Sequence, residues 1–173
     1  MKATMMTLLA AAGLLAGCGD KNETALETKE ATKEFVATAP KGTPVPIPEA
    51  RTQFKAGDEV LLTGLVMGTP HPFVEGRAVF VLGDEGILTP CDKRPGDTCP
   101  MPWDVCCDSP EAKAVGTATI QIPGEDGKPL QTGARGMDGL KELSRVTVAG
   151  IVDERSSPEA FVVNATAIHV GKR

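Results

Sequence analysis

Two stretches of the chain share a pattern of alternating apolar residues around a central glycine. Residues 60–66 read VLLTGLV and residues 146–152 read VTVAGIV. Because successive side chains of a strand point to opposite faces, alternate apolar residues of each stretch line one side of a strand. Gly64 and Gly150 lie where a strand can bend sharply or admit a second backbone. The pattern therefore predicts two bent strands of a small β-structure.

Three further segments carry strand patterns. They are residues 77–84, 117–122 and 160–170, which are rich in alternating apolar or β-branched residues. The side chains expected to face inward on the first two are Ala78, Phe80, Leu82, Ala118, Ile120 and Ile122. Between the third and fourth strands, Met137, Leu140 and Leu143 recur at helical spacing. They predict one short helix over residues 137–143.

The order of three strands, a short helix and two strands resembles the OB-fold, a five-stranded Greek-key barrel. The motifs that carry this resemblance are Gly64-x-Val66, Phe80-x-Leu82-x-Asp84, Gly150-x-Val152 and the closing strand through Ile168. A small β-sandwich is the alternative, but the helix between the third and fourth strands favours the barrel. We therefore expect an all-β, OB-like barrel over residues 54–173.

A long insertion, residues 85–116, separates the second and third predicted strands. It contains Cys91, Cys99, Cys106 and Cys107. In an exported protein, an even number of cysteines predicts two disulfides. Because a bridge between adjacent cysteines is strained, two pairings remain. These are 91–106 with 99–107, and 91–107 with 99–106.

Two other interpretations of the cysteines stay open. Four thiolates could bind zinc or copper(I), assisted by Asp104 or Asp108, although the C-x7-C-x6-C-C spacing lacks the C-x2-C knuckle of structural zinc sites. Thiol redox exchange is the other interpretation, although the chain has no C-x-x-C motif to support it. Trp103, the one tryptophan, is expected to cover the cysteines as part of a packed lid, or to act as a binding anchor.

The N-terminal segment predicts export. Lys2 precedes an uncharged apolar run that ends in Leu15-Ala16-Gly17-Cys18, and this run is too short to span a bilayer. It resembles the lipobox of bacterial lipoprotein signals. That resemblance implies removal of residues 1–17, acylation of Cys18 and membrane anchoring through lipid chains. Gly19 in place of aspartate implies the periplasmic face of the outer membrane.

The segment after the signal is expected to be a tether. Residues 18–53 contain few large apolar groups, and prolines recur at positions 40, 44, 46 and 48. Alternate prolines favour an extended polyproline spacer, so this segment is predicted to be disordered. The folded domain is predicted to begin at Phe54.

Charge and side-chain type argue against nucleic acid as a partner. The formal net charge is −5, which opposes binding driven by phosphate neutralisation. The outward residues of the second and third strands include no aromatic side chain that could stack on bases. Val79 and Val81 on that face suggest that the insertion folds back over it.

No catalytic motif is present. The chain has no G-x-S-x-G, P-loop or G-x-G-x-x-G sequence. We therefore expect a non-enzymatic, lipid-anchored module of the cell envelope without a cofactor. Its partner would be a protein or a small envelope ligand, with Trp103 and His71 as candidate contacts. Metal binding by the cysteines, and OB-type nucleic-acid or oligosaccharide binding, are the alternatives.

Overall fold

All five predicted strands form in the computed structural model, which describes residues 40–157 and 159–171. They are β1 (Glu59–Val66), β2 (Val79–Gly83), β3 (Thr117–Gln121), β4 (Arg145–Val152) and β5 (Val162–Val170). Hydrogen bonding closes them into a barrel in the order β1-β2-β3-β5-β4. All neighbours are antiparallel except β3 and β5, which pair in parallel. The predicted all-β, OB-like barrel is confirmed.

The barrel interior is filled by the side chains that the alternating pattern predicted. Phe80, Leu62 and Val148 have no exposed surface. The other predicted inward residues, all buried, are Val60, Val66, Ala78, Leu82, Ala118, Ile120, Ile122, Val146 and Val152. Complete burial of one such large apolar side chain contributes roughly 1.5–3 kcal/mol. The barrel therefore holds its own apolar core.

The two central glycines lie at close backbone approaches. A Cβ on Gly64 would lie 2.5 Å from the carbonyl oxygen of Gly83, and one on Gly150 would lie 2.5 Å from that of Asn164. The β4–β5 register also shifts between Ala149 and Gly150. Both glycines thus admit a second backbone, as their position in the pattern predicted.

The helical element between β3 and β4 is shorter than predicted. It is one 3-10 turn, Met137–Gly139, because Gly136, Asp138 and Gly139 all have positive φ angles that stop an α-helix. Leu140 is buried in the barrel core, whereas Leu143 is buried in a second cluster. The predicted apolar residues therefore pack, but they do not line one face of a helix.

The folded part begins before Phe54, so the predicted tether boundary at residue 53 is wrong. Val45 pairs in parallel with Leu62, and α1 (Ile47–Gln53) follows it. Ile47 and Ala50 are completely buried in the barrel core. Pro48 does not prevent this helix, because proline is tolerated in the first turn, where no N–H is needed.

Helix α1 joins the two ends of the insertion. The backbone N–H of Ile47 donates to Oδ2 of Asp84, just after β2, at 2.9 Å. The Arg51 guanidinium donates to the carbonyl oxygen of Thr117, the first residue of β3, at 3.2 Å. Both points where the insertion leaves and re-enters the barrel are therefore in contact with α1.

The insertion shares a second apolar cluster with the end of the barrel. Its regular elements are a 3-10 turn, Cys91–Lys93, and α2 (Pro110–Gly116), which Ser109 caps by accepting a hydrogen bond from the N–H of Ala112. The second apolar cluster combines Leu88 and Val105 of the insertion with Leu65, Met67 and Leu143 of the barrel end, and the partly buried Trp103 and Ala112 pack against it. The insertion thus packs on the end of β1. It was predicted to fold back over Val79 and Val81, but neither residue belongs to this cluster.

The N-terminal predictions lie outside the described residues. These are the signal segment 1–17, the lipidation site Cys18 and the tether up to residue 39. Within residues 40–157 and 159–171, no helix has the length and apolar character needed to cross a bilayer.

Candidate metal centre

The four cysteines of the insertion are free thiols. Neither of the two predicted disulfide pairings is formed. The Sγ atoms lie 3.6 Å apart in Cys91 and Cys106 and 3.8 Å apart in Cys106 and Cys107, well beyond a bond length of about 2.05 Å. The physical reason is that the sulfurs of Cys91, Cys99 and Cys106 all lie around one point instead of forming two separate pairs.

Three of these sulfurs form one compact group. The Sγ atoms of Cys91, Cys99 and Cys106 all lie within 4.8 Å of one another. A tetrahedral zinc–thiolate site with bonds of about 2.3 Å places its sulfurs roughly 3.8 Å apart. The 3.6 Å between Cys91 and Cys106 is close to that edge length. The group therefore has the size of a thiolate site for one metal ion.

Backbone pairing inside the insertion brings these distant cysteines together. The N–H of Cys91 donates to the carbonyl oxygen of Asp104 at 2.9 Å, and the N–H of Asp92 donates to that of Pro102 at 3.0 Å. These bonds align the 3-10 turn with the segment that leads into Cys106. The sequence spacing did not reveal this, because the pairing is local to the folded loop and needs no C-x2-C knuckle.

Cys99 enters the group from a separate turn. Its N–H donates to Oδ1 of Asp97 at 2.7 Å, and its thiol donates to the carbonyl oxygen of Met101 at 3.6 Å. An aspartate that accepts a hydrogen bond from the backbone two residues on is a common local turn device. This turn fixes the direction in which the Cys99 side chain leaves the loop.

The two aspartates that were predicted to assist a metal serve the loop itself. Oδ1 of Asp104 accepts the N–H of Val105 at 2.8 Å. The Asp108 carboxylate accepts the N–H of Thr89 at 2.9 Å and forms an ion pair with Arg94. Their oxygens stabilise the two sides of the insertion around the cysteines. The metal-sized group consists of sulfur atoms alone.

The surroundings of Cys91 and Cys106 favour the protonated form of both thiols. Burial, followed by hydrogen bonds with Cys106 and Cys99, raises the pKa of Cys91 to about 12. The hydrogen bond with Cys91 lowers the pKa of Cys106, but contacts with Cys107, partial desolvation and repulsion from Cys99 outweigh it, so the pKa of Cys106 is raised. Such thiols are poor nucleophiles, which disfavours redox exchange. A metal ion would bind by displacing their protons.

The sulfurs differ sharply in exposure. Cys91 is only 3% exposed. Cys99 is half-buried, whereas Cys106 and Cys107 are exposed. The group therefore extends from the interior of the insertion to its surface, where the exposed Cys107 lies next to Cys106.

The predicted ligand contacts Trp103 and His71 come together in a separate groove. It has a volume of about 610 Å³, and its other lining residues include Phe73, Arg135 and Glu142. The indole Nε1 of Trp103 donates to the carbonyl oxygen of Pro70 at 2.9 Å. Trp103 also packs against the second apolar cluster. One side of the tryptophan is thus held by the barrel end while the ring lines the groove.

Comparison with known proteins gives no relative for this chain: no protein-family profile, curated protein or solved structure matches it. The chemistry of the thiol group is the basis on which its function can be inferred.

Proposed function

We propose that this chain is a lipid-anchored protein of the bacterial cell envelope that binds a thiophilic cation, zinc or copper(I). The ligands are Cys91, Cys99 and Cys106. One observation carries the proposal, namely that the three sulfurs lie within 4.8 Å of one another. Thiolates are soft ligands and favour copper(I) and zinc over hard cations such as magnesium or calcium.

The envelope location rests on the Leu15-Ala16-Gly17-Cys18 sequence. The sequence predicts a binding module for a protein or a small envelope ligand, and we propose that the cation is that small ligand. We propose binding rather than catalysis, and the three-sulfur set is the support, because a catalytic zinc site typically combines three protein ligands with histidine or carboxylate among them.

The proposal is tested by metal content. The full chain is extracted in detergent under argon with reductant, exposed to zinc or copper(I), and freed of excess cation. Elemental analysis is expected to give about one cation per chain. Cys91→Ser, Cys99→Ser and Cys106→Ser should each lose most of it, because two thiolates bind far more weakly than three. Asp92→Ala, a change at the exposed neighbour of Cys91, should retain it.

A second readout identifies the ligands directly. Cobalt(II) bound by thiolates shows an intense sulfur-to-metal charge-transfer absorption, and this band should appear in the protein and in Asp92→Ala but not in the three serine variants. If the fully reduced protein binds no more zinc or copper(I) than the variant in which all three cysteines are serine, the proposal is wrong. Alkylation and mass spectrometry of protein purified without reductant would then test whether the same cysteines form disulfides.

The groove at Trp103 supports a second candidate function. Its volume of about 610 Å³ falls in the range of small-molecule pockets, roughly 300–1,000 Å³. We propose that it takes a small envelope ligand such as an oligosaccharide fragment, with the Trp103 ring as an anchor. Because Trp103 is the single tryptophan, its fluorescence reports the groove alone. A saturable shift on titration with cell-wall oligosaccharides is expected, and no shift at saturating concentrations would exclude them.

A further inference from the structure

We infer that Cys107 is the entry ligand for the three-cysteine cluster of Cys91, Cys99 and Cys106. The cation binds Cys107 first on its way from a thiolate-bearing partner protein to the cluster, and last on its way back. This inference rests on the proposed cation site. It makes the site one that exchanges its cation with a partner, in contrast to a closed structural site that keeps it.

The first support is the distance between the two surface sulfurs. Sγ of Cys107 lies 3.8 Å from Sγ of Cys106, which is the edge length of a tetrahedral thiolate site with bonds of about 2.3 Å. Cys107 is outside the compact group of three. The pair can therefore hold a cation at the surface before the inner sulfurs bind it.

The second support is the shared position of Cys106. It lies 3.6 Å from Cys91 on one side and 3.8 Å from Cys107 on the other. A cation bound to Cys106 can exchange Cys107 for Cys91 while its bond to Cys106 persists. Because Cys106 and Cys107 are exposed and Cys91 is buried, this exchange moves the cation from the surface inward.

The third support is a positive charge beside the surface pair. Nζ of Lys113, on α2, donates to the carbonyl oxygen of Cys106 at 3.4 Å. A partner that carries the cation on thiolates is anionic at its site, and a nearby ammonium group attracts it.

The transfer is a series of ligand exchanges without any change of oxidation state. Cys107 and then Cys106 each lose a thiol proton as a metal–sulfur bond forms, and each released partner thiolate takes up one proton. Bonds to Cys91 and Cys99 then form with loss of their protons, to the remaining partner thiolate or to solvent. The bond to Cys107 breaks last, and its thiolate regains a proton from solvent.

The test separates rate from equilibrium. The full chain in detergent under argon receives zinc or copper(I) from the complex of that cation with dithiothreitol, a small dithiol that stands in for the partner. Stopped-flow absorption follows the formation of the protein–metal bonds. Cys107→Ser should load at least about tenfold more slowly, with the same stoichiometry and affinity at equilibrium. Release to excess dithiothreitol should slow by the same factor, since both directions share one path.

Two further variants sharpen the result. Cys107→Met keeps a soft sulfur ligand and should recover part of the loading rate for copper(I). Thr98→Ala changes another exposed residue of the insertion and should load as the unaltered protein does.

The outcomes distinguish the inference from the proposed function. Equal loading rates in the unaltered protein and Cys107→Ser would overturn the inference and leave the cation site intact. Loss of cation stoichiometry in Cys107→Ser would make Cys107 a permanent fourth ligand, which also overturns it. Absence of cation binding in the unaltered protein would remove both.

Discussion

Gly150 is required by a contact between two backbones, not by an unusual turn. A Cβ at this position would lie 2.5 Å from the carbonyl oxygen of Asn164 and 2.6 Å from Cγ1 of Val163. Both neighbours belong to β5, whose register shifts beside this glycine. The strand must move away if any side chain is added, so this residue determines how tightly the barrel closes.

We therefore expect Gly150→Ala to lower the free energy of unfolding by about 1–3 kcal/mol, the usual cost of overpacking. The measurement is the urea midpoint followed by circular dichroism. The matched control is Gly133→Ala, because a Cβ there meets no atom within 4 Å. Equal midpoints for the two variants would show that β5 gives way without cost.

Asp153 is a second residue whose surroundings determine its behaviour. Its carboxylate accepts hydrogen bonds from Nε of Arg155 at 2.7 Å and from Nδ2 of Asn164 at 2.7 Å. The hydrogen bond from Arg155 is the largest cause that holds the pKa of Asp153 well below its usual range, although burial opposes it. The ionised form is thus the one that the folded barrel favours.

The lowered pKa of Asp153 predicts that the folded protein loses stability in acid. Because the folded pKa is depressed, the contribution of Asp153 is fully present above its unfolded pKa of about 3.9, and it is lost as the pH falls through the folded value. Asp153→Asn should therefore be less stable than the unaltered protein at about pH 7, and the difference should shrink by about pH 3. Urea unfolding at both pH values measures it, and a constant difference would contradict the pKa direction.

At the scale of elements, the strands were predictable because their signal is local. Val146, Val148 and Val152 alternate in the sequence and are all buried, so the period of two was sufficient. Helix α1 was missed for two reasons. Its prolines were interpreted as part of an extended spacer, and its buried face consists only of Ile47 and Ala50, which is too short an apolar pattern to indicate a helix. Its place on the barrel depends on contacts with residues far away in the sequence.

The arrangement of the cysteines could not be predicted from the sequence for a different reason. The four cysteines were recognised, but their arrangement depends on bonds such as that from the N–H of Cys91 to the carbonyl oxygen of Asp104. No spacing rule encodes that bond. The predicted disulfides followed from the number of cysteines and the expected compartment, and neither of these says which sulfur atoms lie close together in the folded chain.

The insertion depends on one buried leucine for its packing. Leu88 is 1% exposed and belongs to the second apolar cluster, whereas its neighbour Ile87 is 42% exposed. Leu88→Ala should destabilise this cluster by about 2–5 kcal/mol, the cost of removing a buried aliphatic side chain. Hydrogen exchange at the amides of Cys91 and Asp104 should accelerate, while the β1–β4 amides stay protected and cation binding weakens.

Ile87→Ala is the control for that experiment, because it removes a similar volume from an exposed site. It should leave exchange in the insertion unchanged. If Leu88→Ala instead accelerated exchange throughout the barrel, the two apolar clusters would unfold as one unit.

At the scale of the whole molecule, the proposed lipid anchor determines where the barrel works. Cys18→Ser removes the thiol that would carry the lipid, so this variant should leave the membrane fraction or accumulate as an unprocessed precursor. Detergent partitioning and the mass of the protein measure both results. Membrane association that still requires detergent for release would show that Cys18 is not the anchor.

Helix α1 lies between the N-terminal segment and the cysteine insertion along the chain. The chain reaches the barrel at Val45 and continues directly into α1, which contacts Asp84 and Thr117 on either side of the insertion. A pull from the N-terminal side is therefore applied first to the pairing of Val45 with Leu62 and then to the helix that contacts both ends of the insertion. Tension that dislodges α1 would free both ends of the insertion together, so the affinity for the proposed cation would depend on the tension applied through the N-terminal segment.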